Sequence, residues 1–351
     1  MFTHSLRIVS VVGLIWLAGL TSAVHAQKAV PLEAARVFRP EQKDEKTAPA
    51  LTAISLSHDG RTLATAGDDH LVRLRSVADG SLIREFSGHT DWVRTVRFDP
   101  TGETLASGGD DHTVRLWTVK NAEPSRVLVQ LDRPVYCIAW SPDGGLLAVG
   151  GFDDKLRLYE PKSGTLVKAL DCPLGDVHAV AISPAADLLV AGGRNGKLRL
   201  WNMRDFTVVA DIAAHRRRVH SIVFSPAGDR ICSGGDDGQS ALLEVKSQQM
   251  AAQLPRCAGK IQALVFCGSN TLASGGSDNS IRIWDLAKRT ESLQLLGHTG
   301  SISALDFHPA SGLLVSASFD TTVRLWNPLD GLRLTAKESP AAPATSVAAP
   351  R

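Results

Sequence analysis

Five cysteines are all that the 351-residue chain carries, with no Cys-x-x-Cys pair and neither zinc nor haem spacing. That excludes a zinc ribbon, a c-type haem or a dithiol redox centre. The odd count leaves at least one thiol free. Cys137 and Cys232 fall in strand-like runs and read as small core residues, whereas Cys172 and Cys257 stand in loops of different units, so no disulfide between them is expected. Charge of one sign is also missing. Lys and Arg number 38 against 36 Asp and Glu, a formal +2, or +1 without residues 1–26, which argues against nucleic-acid or membrane surfaces as partners. No glycine-rich phosphate loop is present, because Gly108-Gly109 and its copies read as turn glycines with no helix after them.

Long apolar runs are confined to Ile8–Leu20, preceded by His4 and Arg7 and followed by Val24-His25-Ala26. This reads as a secretory signal peptide over residues 1–26 with cleavage after Ala26, since a membrane span needs about 20 apolar residues. No Cys follows the cleavage point, so lipid anchoring is not expected. The mature chain is expected to be periplasmic or secreted, without stable membrane insertion. Residues 336–351 (AKESPAAPATSVAAPR) have no apolar pattern and read as a disordered tail.

What is present is a repeat. Asp69, Asp111, Asp153, Asn195, Asp237, Asp278 and Asp320 follow one another in steps of 42 residues, with a single step of 41. Such a period means one supersecondary unit copied seven times, each burying its apolar face only against its neighbours. In the second copy, Trp92–Phe98 is predicted as a strand, Pro100-Thr101-Gly102 as a turn and Thr104–Ser107 as a second strand. Gly108-Gly109-Asp110-Asp111 then reverses the chain, Thr113–Trp117 is a third strand, and a fourth lies near Arg126–Gln130. The third strands alternate apolar residues with Arg, as in Val114-Arg115-Leu116-Trp117, which places the Arg heads near water and excludes helix. The fold class is therefore all-β: a seven-bladed propeller with four antiparallel strands per blade over residues 50–335, after an N-terminal segment at 27–49. Ring closure has two candidates, Ala34–Arg39 and Gly331–Thr335, and either removes an exposed edge.

With Trp284-Asp285, Gly88-His89 and Gly297-His298 added, the chain resembles the WD-repeat family over about residues 34–335. The resemblance implies a buried structural tetrad of His, Ser, Asp and Trp within a blade. It is complete twice, as His89, Ser107, Asp111, Trp117 and as His298, Ser316, Asp320, Trp326. Arg75, Tyr159 and Leu243 replace the Trp elsewhere, and Cys257 replaces a His, so those blades are expected to be held less firmly.

A His-Ser-Asp set also suggests a catalytic triad. Its recurrence beside the structural Trp favours packing, because a hydrolase needs an exposed Ser beside an oxyanion hole. His70 and His112 sit at equivalent turns and form no converging ligand set, so no metal and no cofactor are expected.

The resemblance further implies that a protein or peptide partner binds the top face around the central channel. Aligning the repeats gives one ring of positions at Thr52, Arg94, Tyr136, His178, His220, Gln262 and Ser303. Trp92 with its equivalents forms a second ring, and Asp68, Asp110, Phe152, Arg194, Asp236, Ser277 and Phe319 form a third. These positions vary while the framework repeats, as a recognition surface requires. The candidate contacts are Trp92, Arg94, Tyr136, Phe152, His178, Arg194, Arg218, His220 and Phe319: aromatic anchors, and basic groups for acidic ones. The alternative reading is a propeller enzyme or small-ligand binder using the channel.

Overall fold

The computed structural model describes residues 30–32, 34–39, 48–120 and 125–329. The signal peptide read at 1–26, the alternative closing strand at 331–335 and the tail at 336–351 lie outside the described residues. Short Val- and Leu-rich runs broken by Gly, Pro and Asp give seven sheets of antiparallel strands, the blades. Blade 2 is typical: Val93–Phe98 is innermost, followed by Thr104–Gly109, Thr113–Thr118 and Arg126–Gln130 on the outside. The core lies between blades. Seven apolar clusters each join two adjacent blades, as where Ala53, Ala64 and Leu74 of blade 1 meet Val96, Leu105 and Trp117 of blade 2.

The ring closes through the N-terminal segment. Arg36–Phe38 pairs antiparallel with Val323–Trp326, placing Arg36 opposite Leu325 and Phe38 opposite Val323, so it supplies the outer strand of blade 7. Between blades 7 and 1, Leu56 N–H donates to Asp306 Oδ2 at 2.7 Å and Ser303 Oγ to the Leu51 carbonyl at 2.6 Å. Val30–Leu32 adds a parallel fifth strand outside Thr290–Leu295 of blade 6, a pairing the repeat pattern did not anticipate.

Two expectations are corrected. Gly108 and Gly109 are not turn residues, because the second strand continues through both. Their need for glycine is close approach rather than unusual φ. A Cβ on Gly109 would lie 2.4 Å from the Trp92 carbonyl oxygen, and one on Gly108 would lie 2.5 Å from Val135 of the next blade. Gly67, Gly151, Gly193, Gly235 and Gly276 repeat the first relation, at 1.7 to 2.4 Å. The reversal follows at the marked acid, where His70, His112, Asn279 and Thr321 adopt left-handed φ of 62 to 69°.

The third-strand Arg residues are the second correction, because several turn inward to carboxylates instead of standing in water. In blades 2, 5 and 7 the turn Asp is bonded by a His: Asp111 by His89 at 2.8 Å, Asp237 by His215 at 3.0 Å and Asp320 by His298 at 2.8 Å. In blades 1, 3 and 6 the third-strand Arg four residues on takes that place. Arg73 lies 2.6 Å from Asp69, Arg157 2.7 Å from Asp153 and Arg282 2.6 Å from Asp278. Blade 4 has Asn195 at the turn, and its Arg199 pairs with Asp211 at 2.6 Å. Blades without the His thus keep a charged tie from the third strand by changing its partner.

Candidate binding face at the channel mouth

The innermost strand of every blade carries one unpaired residue opposite its second strand. In blade 2, Val93 faces Gly109 and Thr95 faces Gly108, so Arg94 is the extra residue of a β-bulge. The same shift isolates Thr52, Tyr136, His178, His220, Gln262 and Ser303. A bulge re-aims its extra side chain. Here it sends all seven into the central channel, where they line a cavity of about 140 Å³. A glycine pair stands opposite the bulge in blades 2 to 6, with Ala66-Gly67 in blade 1 and Ala317-Ser318 in blade 7; these small residues are the sequence signal for the bulge, and repeat spacing alone does not reveal it.

Around this mouth the candidate residues bind one another. Arg94 Nε donates to both oxygens of Asp110 at 3.0 and 2.9 Å, and its guanidinium lies 4.6 Å from the Trp92 ring centre. Tyr136 stacks on His178 with centroids 4.3 Å apart and meets Phe152 edge-on at 6.2 Å. His178 in turn meets His220 edge-on at 5.7 Å. Arg194 lies over Phe152 at 5.2 Å and donates to Asp176 Oδ2 at 2.9 Å. Asp176 is fully buried and also faces His178 and Arg218, each at 3.5 Å. His220 contacts Asp236 at 2.8 Å, and Lys260 reaches the same carboxylate at 3.2 Å. Trp92, Phe152 and Phe319 remain 38, 41 and 43 % exposed, and Phe319 has no ring partner among the described residues.

The electrostatics follow from burial set against these pairs. Burial raises the Asp176 carboxyl, but His178, Arg218 and Arg194 together outweigh it and hold the group below its ordinary range. Burial likewise opposes ionisation of Asp236 and is outweighed by His220 and Lys260. His220 is pushed down by its own burial, against the pull of Asp236. The mouth is a belt of aromatic rings and matched charges. Sequence reading placed the basic members and Asp110, Asp176 and Asp236 in the rings, but not the pairing between them.

The His-Ser-Asp sets lie deep in their blades. Ser107 and Ser316 are fully buried, and each hydroxyl accepts from its Trp, at 2.8 and 2.9 Å, and contacts its His, at 2.6 and 2.7 Å. Both hydroxyls are closed off from solvent in the folded ring. A third set, His215, Ser233 and Asp237, forms the same bonds with Leu243 in place of Trp. Among the described residues no group of His, Cys, Asp and Glu is gathered to hold a metal ion.

The family model described as "WD domain, G-beta repeat" matches residues 42–76, 80–118, 124–160, 164–202, 206–239, 253–285 and 289–327, well over half of the chain. The chain belongs to this family. Similar WD-repeat chains include the nuclear distribution protein nudF of Aspergillus flavus, 42% identical over 60 residues, which are 17% of this chain and 13% of that protein. Human pre-mRNA-processing factor 19 is 34% identical over 59 residues (17% of this chain, 12% of that protein). The B-type cell cycle switch protein ccs52B of Medicago truncatula is 37% identical over 71 residues (19% and 15%). The matched stretches thus span less than a sixth of each relative, and the likeness is one of repeats rather than of whole proteins.

Proposed function

We propose that the protein is an exported, non-catalytic scaffold that binds a protein or peptide partner across its top face. The observation that carries this reading is the bulge ring. Seven side chains of six residue types converge on the mouth from one geometric position, and Arg94, Tyr136, His178 and His220 among them are held by ion pairs and ring contacts before any partner arrives. Pre-ordering of this kind lowers the entropy lost on binding. Trp92, Phe152 and Phe319 are the exposed anchors, and Tyr136, Arg94, His178, Arg194, Arg218 and His220 fix the belt around them.

Two features weigh against a channel enzyme or small-ligand site. The cavity of about 140 Å³ is small beside the roughly 300–1,000 Å³ of ligand pockets. Its lining residues include no acid, and Asp176 at the rim is held ionised by its neighbours rather than poised to exchange a proton near neutrality. Export rests on the apolar run Ile8–Leu20 and Val24-His25-Ala26. No helix among the described residues is long and apolar enough to cross a membrane. Intact-mass measurement of the purified native protein tests export directly: loss of residues 1–26 is expected, and a full-length cytoplasmic product would overturn it.

The scaffold itself is tested by cross-linking the tagged protein in its native compartment and identifying captured proteins by mass spectrometry. The comparison is a Trp92→Ala, Phe152→Ala, Phe319→Ala variant with an unchanged melting temperature. Partners captured by the wild type and lost from the variant are expected. Identical capture by both would remove the top-face assignment.

A further inference from the structure

Arg94, Arg194, Arg218 and Lys260 all lie against carboxylates of the protein itself, so little of their charge is left for a partner. Three other arginines differ. Arg216 and Arg217, in the loop entering blade 5, and Arg256, in the loop leaving it, are exposed, and none has an ion-pair partner among the described residues. They line a second cleft of about 590 Å³ that shares no lining residue with the channel cavity. Arg218, the next residue in the chain, turns the other way to Asp176.

The rest of the cleft is built from blade 5 and from Ala213, at the end of the outer strand of blade 4. Gln239 follows the turn acid, and Gln253 ends the outer strand Gln249–Gln253. Asp237 is the one carboxylate among the lining residues, and it is already engaged. His215 lies 3.0 Å from one of its oxygens, and the backbone N–H groups of Arg216 and Gln239 donate to it at 3.1 and 3.2 Å. The buried Asp237 carboxylate at the floor therefore already has three internal donors, and three guanidinium groups without an ion-pair partner among the described residues stand at the walls.

We infer that this cleft over blade 5 docks an acidic segment of the partner, with Arg216, Arg217 and Arg256 receiving its carboxylates. Guanidinium forks match carboxylates bidentately. Gln239 and Gln253 each offer an amide donor and an acceptor, the complement of an extended peptide backbone. The cleft volume falls in the range that holds several side chains. Nucleic acid fits less well, since a phosphate backbone calls for an extended basic stripe, and a formal net charge of +2 with paired basic groups at the mouth does not supply one. The inference rests on the scaffold reading and adds the chemistry of the partner.

The test is fluorescence anisotropy of the full propeller with a fluorescein-labelled octaglutamate peptide at low ionic strength. Comparison probes are an octalysine peptide, inorganic phosphate as competitor, and a labelled oligothymidylate. The wild type is expected to bind octaglutamate with an affinity that falls as salt rises, and not to bind octalysine. The Arg216→Glu, Arg217→Glu, Arg256→Glu variant should lose about tenfold or more, the product of three exposed charge contacts. If that variant does not fold, the triple Gln variant is used and the same loss is expected. The Trp92→Ala, Phe152→Ala, Phe319→Ala variant should retain the peptide, which separates the cleft from the belt. Absence of octaglutamate binding, equal binding by the arginine variant, or equal binding of oligothymidylate would each overturn the inference. The cross-linking experiment decides the scaffold reading independently of all three.

Discussion

Replacing Asp111 by Ala removes a carboxylate that receives four hydrogen bonds. They come from His89 Nδ1 at 2.8 Å, Thr113 Oγ1 at 2.8 Å, Thr113 N–H at 3.0 Å and Thr90 N–H at 3.2 Å. The His89 and Asp111 side chains are 0 and 2 % exposed, so water cannot take over these bonds without opening the blade. Each charge-assisted bond is worth about 1.5–3 kcal/mol, and a donor left buried without a partner adds its own cost. The bonds are not additive, and a net loss of about 4 kcal/mol follows, which for a domain of this size lowers the melting temperature by roughly 7 °C. Asp153→Ala is the matched control. It removes the Arg157 pair of blade 3, where the two side chains are 21 and 27 % exposed, so the loss should be about 1 kcal/mol, or roughly 2 °C. Circular dichroism melts of both variants at neutral pH decide the matter, and capture of the partner in the cold should survive in each. A melting temperature for Asp111→Ala equal to wild type, or no lower than that of Asp153→Ala, would refute the claim that the His-bonded acid is the stronger tie.

Acid should destabilise the ring in two stages, read by urea unfolding at a series of pH values. His298 is pushed below its ordinary 6.5 by burial, so its contribution is complete above 6.5 and declines as pH falls, because the unfolded chain takes the proton first. Asp320 is held at about 2 against an ordinary 3.8, since bonds from Thr322, Thr299 and His298 outweigh its burial; its contribution is present above 3.8 and is lost as pH falls through about 2. A stability independent of pH from 7 to 2 would contradict both assignments. Gly193→Ala should prevent soluble folding, as its Cβ would sit 1.8 Å from the Asp176 carbonyl oxygen; Gly102→Ala, with φ +74° and nothing within 4 Å, should cost only about 1 kcal/mol of backbone strain. Deleting residues 34–39 should lower the melting temperature and cause concentration-dependent association in light scattering, because the edge of Val323–Trp326 is then bare. An unchanged monomer would show that the pairing of Arg36–Phe38 is dispensable.

The seven-fold order was legible because a constant spacing of turn acids survives any change of side chain on the surface. The bulges were harder to see. An unpaired residue at the same place in every blade leaves the spacing unaltered, and the glycine pair opposite it in five of the blades has an equally good reading as a turn. The Arg ties were written in the sequence as Asp69/Arg73, Asp153/Arg157 and Asp278/Arg282, each four residues apart, but strand alternation alone suggested that such an Arg points to water. The third His-Ser-Asp set has the same spacing as the complete tetrads. Leu243 at the Trp position hides it from the pattern of the complete tetrads. Ring closure depends on a pairing between residues about 290 apart, and two apolar-alternating segments satisfied the local rules equally. At the mouth, alignment identified the positions. Internal pairing depends on which turn of which blade faces each Arg, and no one-dimensional pattern carries that.

The distribution of paired and unpaired charge bears on how a partner is selected. An acidic group approaching the mouth must compete with Asp110 for Arg94 and with Asp176 for Arg194 and Arg218, and displacing either leaves a carboxylate beside the newcomer. Asp176 is fully buried, so exposing it to a second negative charge in a poorly solvated site is costly. Attraction at the mouth therefore falls to the aromatic faces of Trp92 and Phe152, whose stacked Arg neighbours hold them in place without offering free charge. The arginines of the blade 5 cleft face no such competition. Rim charges of that kind act mainly on the rate and orientation of encounter, while desolvated rings set how long a complex lasts. A partner with an acidic stretch beside an apolar one satisfies both regions at once. A partner with only one of the two gains only the corresponding half, and that is a basis for discrimination that the closed ring holds in fixed geometry.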